Sequence, residues 1–290
     1  MLDKIKKIGI VPVVTINDAK KAVSLAKALV AGGIAVAEIT FRTSAAEEAI
    51  KKITKEVPEI LIGAGTVITT EQVDKAISAG AKFLVSPGFN KKIVKYCMDK
   101  DILIIPGCTS PSDIEAAIEL GISTVKFFPA QHSGGIEYIK AISAPYKSMQ
   151  FMPTGGINPD NLNSYLAFEK IVACGGSWMV PDELIETNQS DKITDLCKKA
   201  VLSMLDFKIK QVTLGGVDNA DIIKSLVSIS SSAVSDIQIT VGTTNLNRAI
   251  YHLKYMGIEF EPDNSRNNFA VSRILQDNLS VDVYLTDIAD

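Results

Sequence analysis

Short, unbroken runs of apolar, largely β-branched residues alternate with amphipathic stretches through the first two thirds of the chain. The runs predict strands at Ile8–Val14, Ile34–Thr40, Ile60–Gly63, Lys82–Val85, Leu103–Ile105, Thr124–Phe128, Gln150–Met152 and Lys170–Cys174. Their apolar positions are continuous rather than alternating, as in parallel strands covered on both faces. The intervening stretches read as helices. Asn17, Ser44, Thr70 and Asn90 precede them as candidate N-caps, and Ser110 stands before a proline at the first helical position. Gly32-Gly33, Gly80 and Gly121 stand where C-terminal glycines belong. Met1–Lys7 is expected to run straight into the first strand.

Successive runs begin about 20 to 26 residues apart, the length of one strand–helix unit. Eight such units within roughly 205 residues predict a compact (β/α)8 TIM barrel. An open doubly wound sheet is the competing topology. It normally carries a glycine-rich loop after the first strand, where this chain has Thr15-Ile16-Asn17.

Near Phe207 the pattern changes. Strands are expected at Ile209–Leu214, Ile237–Gly242, Ile258–Phe260, Phe269–Leu275 and Ser280–Thr286, and helices at Ala220–Val227 and Asn245–Met256. Ser228–Ser235 reads as a loop and Asp263–Asn268 as a turn. The chain therefore divides into a barrel, residues 1–206, and a small α+β C-terminal module, residues 207–290. Leu246, Ile250 and Leu253 form the apolar face of the module's long helix.

Composition narrows the function. The chain has 290 residues, 47% of them hydrophobic, enough for a sizeable core. A net charge of −3 without a Lys/Arg-rich block argues against nucleic acid as a partner. No apolar stretch approaches membrane-spanning length, and the N-terminus lacks the apolar core of a signal peptide. The four cysteines (Cys97, Cys108, Cys174 and Cys197) have no C-x-x-C spacing and read as reduced thiols of a cytoplasmic protein. With only His132 and His252, zinc chemistry built on several imidazoles is not expected.

One residue breaks the apolar pattern. Lys126 lies inside Ser123-Thr-Val-Lys-Phe-Phe-Pro129, where an ammonium must be paired, reach water or lose its proton. A free amine in such a place can attack a carbonyl and form a Schiff base; a snorkelling edge-strand lysine is the alternative. The other strand ends decide between them, because (β/α)8 active sites form there. Strand two ends at Glu38 and continues through Thr40-Phe-Arg42. The third and fourth end in Gly63-Ala-Gly-Thr66 and Ser86-Pro87-Gly88, and the fifth in Pro106-Gly107. Thr154-Gly155-Gly156 and Gly175-Gly176-Ser177 close the seventh and eighth. A carboxylate suited to general acid/base work thus shares a rim with the lysine, and Arg42 offers a fork for a carboxylate. The glycine-rich ends of strands seven and eight match the phosphate corner of such barrels. His132, in the polar Gln131–Gly135 loop, reads as solvated.

These segments resemble the class I 2-keto-3-deoxy-6-phosphogluconate (KDPG) and 4-hydroxy-2-oxoglutarate (KHG) aldolases over roughly Ile8 to Leu205. The resemblance rests on Glu38-Ile-Thr-Phe-Arg42, Gly63-Ala-Gly-Thr66, Ser86-Pro87, Val125-Lys-Phe-Phe-Pro129, Pro153-Thr-Gly-Gly156 and Gly175-Gly-Ser-Trp178. It implies that Lys126 forms the Schiff base and Glu38 moves protons. It further implies that Arg42 and Thr66 hold the pyruvyl carboxylate and that Pro87 and Phe128 line the pocket. Gly155, Gly156 and Ser177 would bind the substrate phosphate, with Thr154 beside it. A keto-acid substrate, a homotrimer and no cofactor or metal follow from the same resemblance. Some members carry a basic residue after the first strand, where this chain has Thr15. The module resembles a half-module of the glyoxalase/vicinal-oxygen-chelate type. Gln238 and Asp282 stand on its strands without a histidine, which points to packing or assembly rather than catalysis. A sugar-phosphate isomerase and a keto-acid sensor are the competing functional classes.

Overall fold

In the computed structural model, which describes residues 1–214, 236–262, 269–276 and 279–287, a helix precedes the first strand. This helix, α1 (Leu2–Ile8), buries Ile5 and Ile8 and stops at Gly9, whose φ of 79° is left-handed. The expectation of a strand from Ile8 is corrected accordingly. With only two buried apolar positions, so short a helix leaves little periodicity to read.

Eight parallel strands follow: β1 (Ile10–Val14), β2 (Val36–Thr40), β3 (Leu61–Gly65), β4 (Phe83–Val85), β5 (Leu103–Ile105), β6 (Thr124–Phe127), β7 (Gln150–Pro153) and β8 (Cys174–Gly176). Six pair in the order β5-β4-β3-β2-β1-β8, and β6 pairs with β7. Single bridges, Gly107 to Lys126 and Thr154 to Gly175, join the two groups into a closed ring. The Lys126 backbone makes one of these closures, donating to Pro106 O and accepting from Cys108 N, both at 2.8 Å. Its backbone is therefore held on both sides, by the β5 end and by Met152 of β7. The expected TIM barrel is the observed fold.

Helices α2 (Ala22–Ala31), α3 (Ala46–Glu56), α4 (Thr70–Ala79), α5 (Lys91–Asp99), α6 (Pro111–Glu119), α7 (Gly135–Ser143), α8 (Pro159–Leu166), α9 (Asp182–Glu186) and α10 (Ser190–Leu205) complete this part of the chain. In α3 the buried set is Ala46, Ala49, Ile50 and Ile53, one face of a 3.6-residue period. Burying each isoleucine contributes about 1.5–3 kcal/mol. Ser110 caps α6 as expected, in a reciprocal box with Asp113, and Asn90 caps α5. Two expected caps move. Thr69, not Thr70, boxes with Gln72 at α4, and α3 starts after Ala45 without the Ser44 side chain. Ahead of α2, a 3-10 turn at Ala19–Lys21 is capped by Asp18, while Asn17 donates to Glu186.

The largest strand error lies at the eighth. Ile171 touches β7 through one isolated bridge, and the paired strand is Cys174-Gly175-Gly176, in register with Ile10, Val11 and Pro12. Hydrophobic patterning does not register glycine. Space does: a Cβ at Gly175 would lie 2.4 Å from Thr154 Oγ1, and one at Gly176 would lie 1.9 Å from the Trp178 ring.

The chain divides into two compact units, Met1–Met204 and Leu205–Asp290. In the second, β9 (Lys208–Leu214), β10 (Asp236–Thr243), α11 (Leu246–Tyr255), β11 (Glu261–Pro262), β12 (Phe269–Gln276) and β13 (Leu279–Asp287) are described. The sheet order is β11-β12-β13-β10-β9, with β10 parallel to β13. The strand expected at Ile258–Phe260 forms instead at Glu261–Pro262. The helix expected at Ala220–Val227, the loop after it and the turn at Asp263–Asn268 lie outside the described residues. Helix α11 buries Arg248, Ala249 and His252, and leaves Leu246, Ile250 and Leu253 half-exposed, the reverse of the expected face. Among the described residues no helix is long and apolar enough to cross a membrane.

Candidate active site

Lys126 and Glu38 meet inside the barrel. Lys126 Nζ lies 3.1 Å from Glu38 Oε1 and 3.4 Å from Oε2, with the residues 5% and 1% exposed. An ammonium and a carboxylate so deep persist only because each has the other. The Phe128 ring, its centroid 5.5 Å from Nζ, lies beside the lysine. Passing one proton across the contact leaves a free amine and a carboxylic acid, the two states imine formation uses.

Small residues make room for the pair. At Gly65 a Cβ would lie 2.1 Å from Glu38 Oε1, and at Gly63 one would strike the Phe83 ring at 2.4 Å. The next residue, Thr66, holds φ at 56° although it carries a side chain. Non-glycine residues in that region collect at functional sites. Arg42 is exposed and makes no hydrogen bond or ion pair with the described residues, which leaves its guanidinium uncommitted. Pro87 is exposed at the end of β4, and its carbonyl approaches Gly107 so closely that a Cβ there would lie 2.1 Å away.

The first strand ends in a hydroxyl pair. Thr40 Oγ1 donates to Val14 O at 2.9 Å and lies 3.2 Å from Thr15 Oγ1. With the Thr40 proton committed, Thr15 is the donor between them. The Thr15 position thus presents lone pairs at this end of β1 rather than a cation.

At the ends of β7 and β8 lie Thr154, Gly155, Gly156 and Ser177. Gly155 and Gly156 are consecutive left-handed residues, with φ of 97° and 77°, which no side chain adopts cheaply in succession. Phe128 packs across Gly155, where a Cβ would lie 3.3 Å from its ring. Neither Gly156 N–H nor Ile157 N–H has a protein acceptor among the described residues. Ser177 is exposed, and Thr154 Oγ1 is buried without a partner among the described residues. His132 is exposed, as expected.

This arrangement has close relatives. A family model described as KDPG and KHG aldolase matches residues 1–196. The chain belongs to the KDPG and KHG aldolase family. It is 49% identical over 201 residues to the 2-dehydro-3-deoxy-phosphogluconate aldolase of Haemophilus influenzae, covering 69% of this chain and 95% of that one. To the KHG/KDPG aldolase of Escherichia coli it is 42% identical over 192 residues, covering 66% and 90%. The KDPG aldolase of Legionella pneumophila, solved with pyruvate captured as a covalent carbinolamine, superposes with a TM-score of 0.67 at 39% identity. That match covers 69% of this chain and 98% of the other. The family match ends within α10, at residue 196, before the second unit begins at Leu205.

Three residues packed behind the Gly155–Gly156 turn escaped sequence reasoning: Gln131, Asn161 and Tyr165. They meet through hydrogen bonds spanning 30 and 34 positions, which local spacing does not reveal. Only Asn161 left a signal, as the third residue after the N-cap Asn158.

Proposed function

We propose that this chain cleaves KDPG to pyruvate and glyceraldehyde 3-phosphate, and KHG to pyruvate and glyoxylate, through a Schiff base on Lys126. The observation that carries the reading is the 3.1 Å contact between two buried, oppositely charged groups inside the barrel. Neutral Lys126 attacks the C2 ketone, and Glu38 supplies and removes protons as the carbinolamine loses water. The iminium then draws electrons from the C3–C4 bond as Glu38 accepts the C4 hydroxyl proton. The aldehyde leaves, and the enamine is protonated at C3 and hydrolysed to pyruvate and free lysine. Every proton and electron pair is accounted for without a metal or dissociable cofactor.

In this reading Arg42 and Thr66 hold the pyruvyl carboxylate, while Pro87 and Phe128 line the pocket. Gly155, Gly156 and Ser177 take the phosphate, beside Thr154. The uncommitted Arg42 guanidinium and the unpaired Gly156 N–H support both anion assignments. The enzyme works as a cytoplasmic homotrimer, which light scattering of the purified protein tests. Residues 1–206 are the catalytic barrel and 207–290 a glyoxalase-like packing or assembly module. Asp282, the carboxylate on its last strand, is committed to Arg273 at 2.6 and 2.9 Å, which holds that carboxyl below its usual pKa.

Borohydride reduction with pyruvate tests the chemistry. Wild type should gain an irreversible tag on Lys126, in EDTA as well as without it. Lys126→Arg should lose both tag and turnover, because a guanidinium does not deprotonate. A tag on another lysine would refute the assignment.

A further inference from the structure

Two consecutive carbonyls in the turn after β7 are pinned the same way. Gln131 N donates to Gly155 O at 3.0 Å, and Asn161 Nδ2 donates to Gly156 O at 2.9 Å. In a planar trans peptide the C=O and the following N–H point in opposite directions. Pinning the carbonyls of 155 and 156 therefore turns the N–H groups of Gly156 and Ile157 the other way. Among the described residues neither of those donors has a protein acceptor.

The side-chain donor that does the pinning, the Asn161 amide, is itself fixed in orientation. Asn161 Oδ1 accepts the Asn158 N–H at 2.9 Å in the capping box of α8, so its amide cannot be reversed without breaking the cap. The Nδ2 group then faces Gln131 Oε1 at 3.5 Å, which must be an acceptor. Tyr165 OH donates to the same oxygen at 2.8 Å. Burial, with Cys174 nearby, pushes the Tyr165 phenol up, so it stays a donor through neutral pH. A Cβ at Gly156 would lie 2.5 Å from Gln131 Cβ, which leaves the turn no slack on that side.

We propose that Asn161, Gln131 and Tyr165 are positioning residues that lock the Gly155–Gly156 turn, and that Ile157 N–H joins Gly156 N–H as a donor to the substrate's phosphate. The lock sets preference for phosphorylated over unphosphorylated 2-keto-4-hydroxy acids and takes no part in bond cleavage. This rests on the phosphate reading of the corner given above.

Steady-state kinetics of the full chain on KDPG and KHG test it, with inorganic phosphate as a probe anion. Asn161→Leu keeps the side chain's size but has no donor, so KM for KDPG should rise about tenfold with kcat changed much less. Constants for KHG should stay within about twofold, since no phosphate is bound. Inorganic phosphate should inhibit KHG cleavage about tenfold more weakly in the variant than in wild type. Because Asn161 also caps α8, Tyr165→Phe is the second arm. It leaves the cap and the ring in place, and should raise KM for KDPG a few-fold. If Asn161→Leu does not fold, Tyr165→Phe decides alone. An unchanged KM for KDPG, or equal losses on both substrates, overturns the lock. Ser177→Asp separates the two readings. If it harms KDPG cleavage far more than KHG cleavage while the lock variants do not, only the lock fails. If it harms both equally, the phosphate corner itself is misassigned.

Discussion

Glu38 occupies the space that a side chain at Gly65 would need: a β-carbon there would lie 2.1 Å from Oε1, 2.5 Å from Cγ and 2.6 Å from Cδ. The two residues sit on adjacent strands, and Glu38 pairs in register with Gly63. The glycine at 65 thus holds the carboxylate against Lys126 by leaving room for it. Gly65→Ala should push Glu38 away from the lysine. Misplacing a catalytic group by about 1 Å can cost on the order of 10²-fold, so kcat should fall at least tenfold, and the melting temperature should drop as well. Added to Glu38→Gln, the same change should cost little further rate, because both act on one group. Additive losses would show that Gly65 matters for packing alone.

Glu38→Gln keeps shape and hydrogen bonding but exchanges no protons. Removing a general acid/base costs about 10² to 10⁴ in rate. Single-turnover experiments should show slow imine formation and slow cleavage, with an unaltered circular dichroism spectrum. A loss below tenfold would make Glu38 a structural partner of Lys126.

The buried thiols make a pH prediction. Burial raises Cys97 from 9.0 to about 11 and Cys197 to about 12; Cys108 also reaches about 12, through burial and then Asp113. The folded state therefore keeps protons that the unfolded state releases. The sign follows: this stability is fully present below pH 9 and is lost as pH rises toward 11 and 12. Urea midpoints should fall steadily above pH 9. At pH 8 a thiol reagent should modify these three cysteines in urea but not in buffer. Rapid labelling of the native protein would contradict the burial argument.

The rim residues all precede Phe207, and the Haemophilus influenzae relative is matched over 95% of its length within 201 residues. A chain ended after Asp206 keeps every residue of the proposed site, so its kcat should stay within a few-fold. Stability or assembly is what it should lose. Truncated protein that traps pyruvate but does not turn over would place part of the module in the active site.

Much of this was legible along the chain. A lysine inside an apolar strand has few stable explanations, so Lys126 stood out, and strand ends in a parallel barrel identify their neighbours on the rim. Helices with strong periodicity, such as α3 and α5, are equally readable. Glycine marks the limit: the apolar pattern ends before β8 because Gly175 and Gly176 have no side chains to pattern, and it ends β3 at Gly63 for the same reason. In α11 the apolar positions Leu246, Ile250 and Leu253 suggested the buried face, yet Arg248 and His252 are the ones enclosed. Periodicity shows which residues share a face, not which face finds a neighbour.

Composition, order and spacing by themselves determined the (β/α)8 architecture and set Lys126 and Glu38 on one rim of it. These follow from local burial and from a topology that repeats every strand–helix unit. Only the tertiary structure decided that Gly65 makes room for Glu38 and that Thr15 offers lone pairs at the end of β1. It alone brought Gln131, Asn161 and Tyr165 to the turn after β7. Each of these depends on contacts a few ångströms long between residues dozens of positions apart, and closing the barrel is what sets those distances.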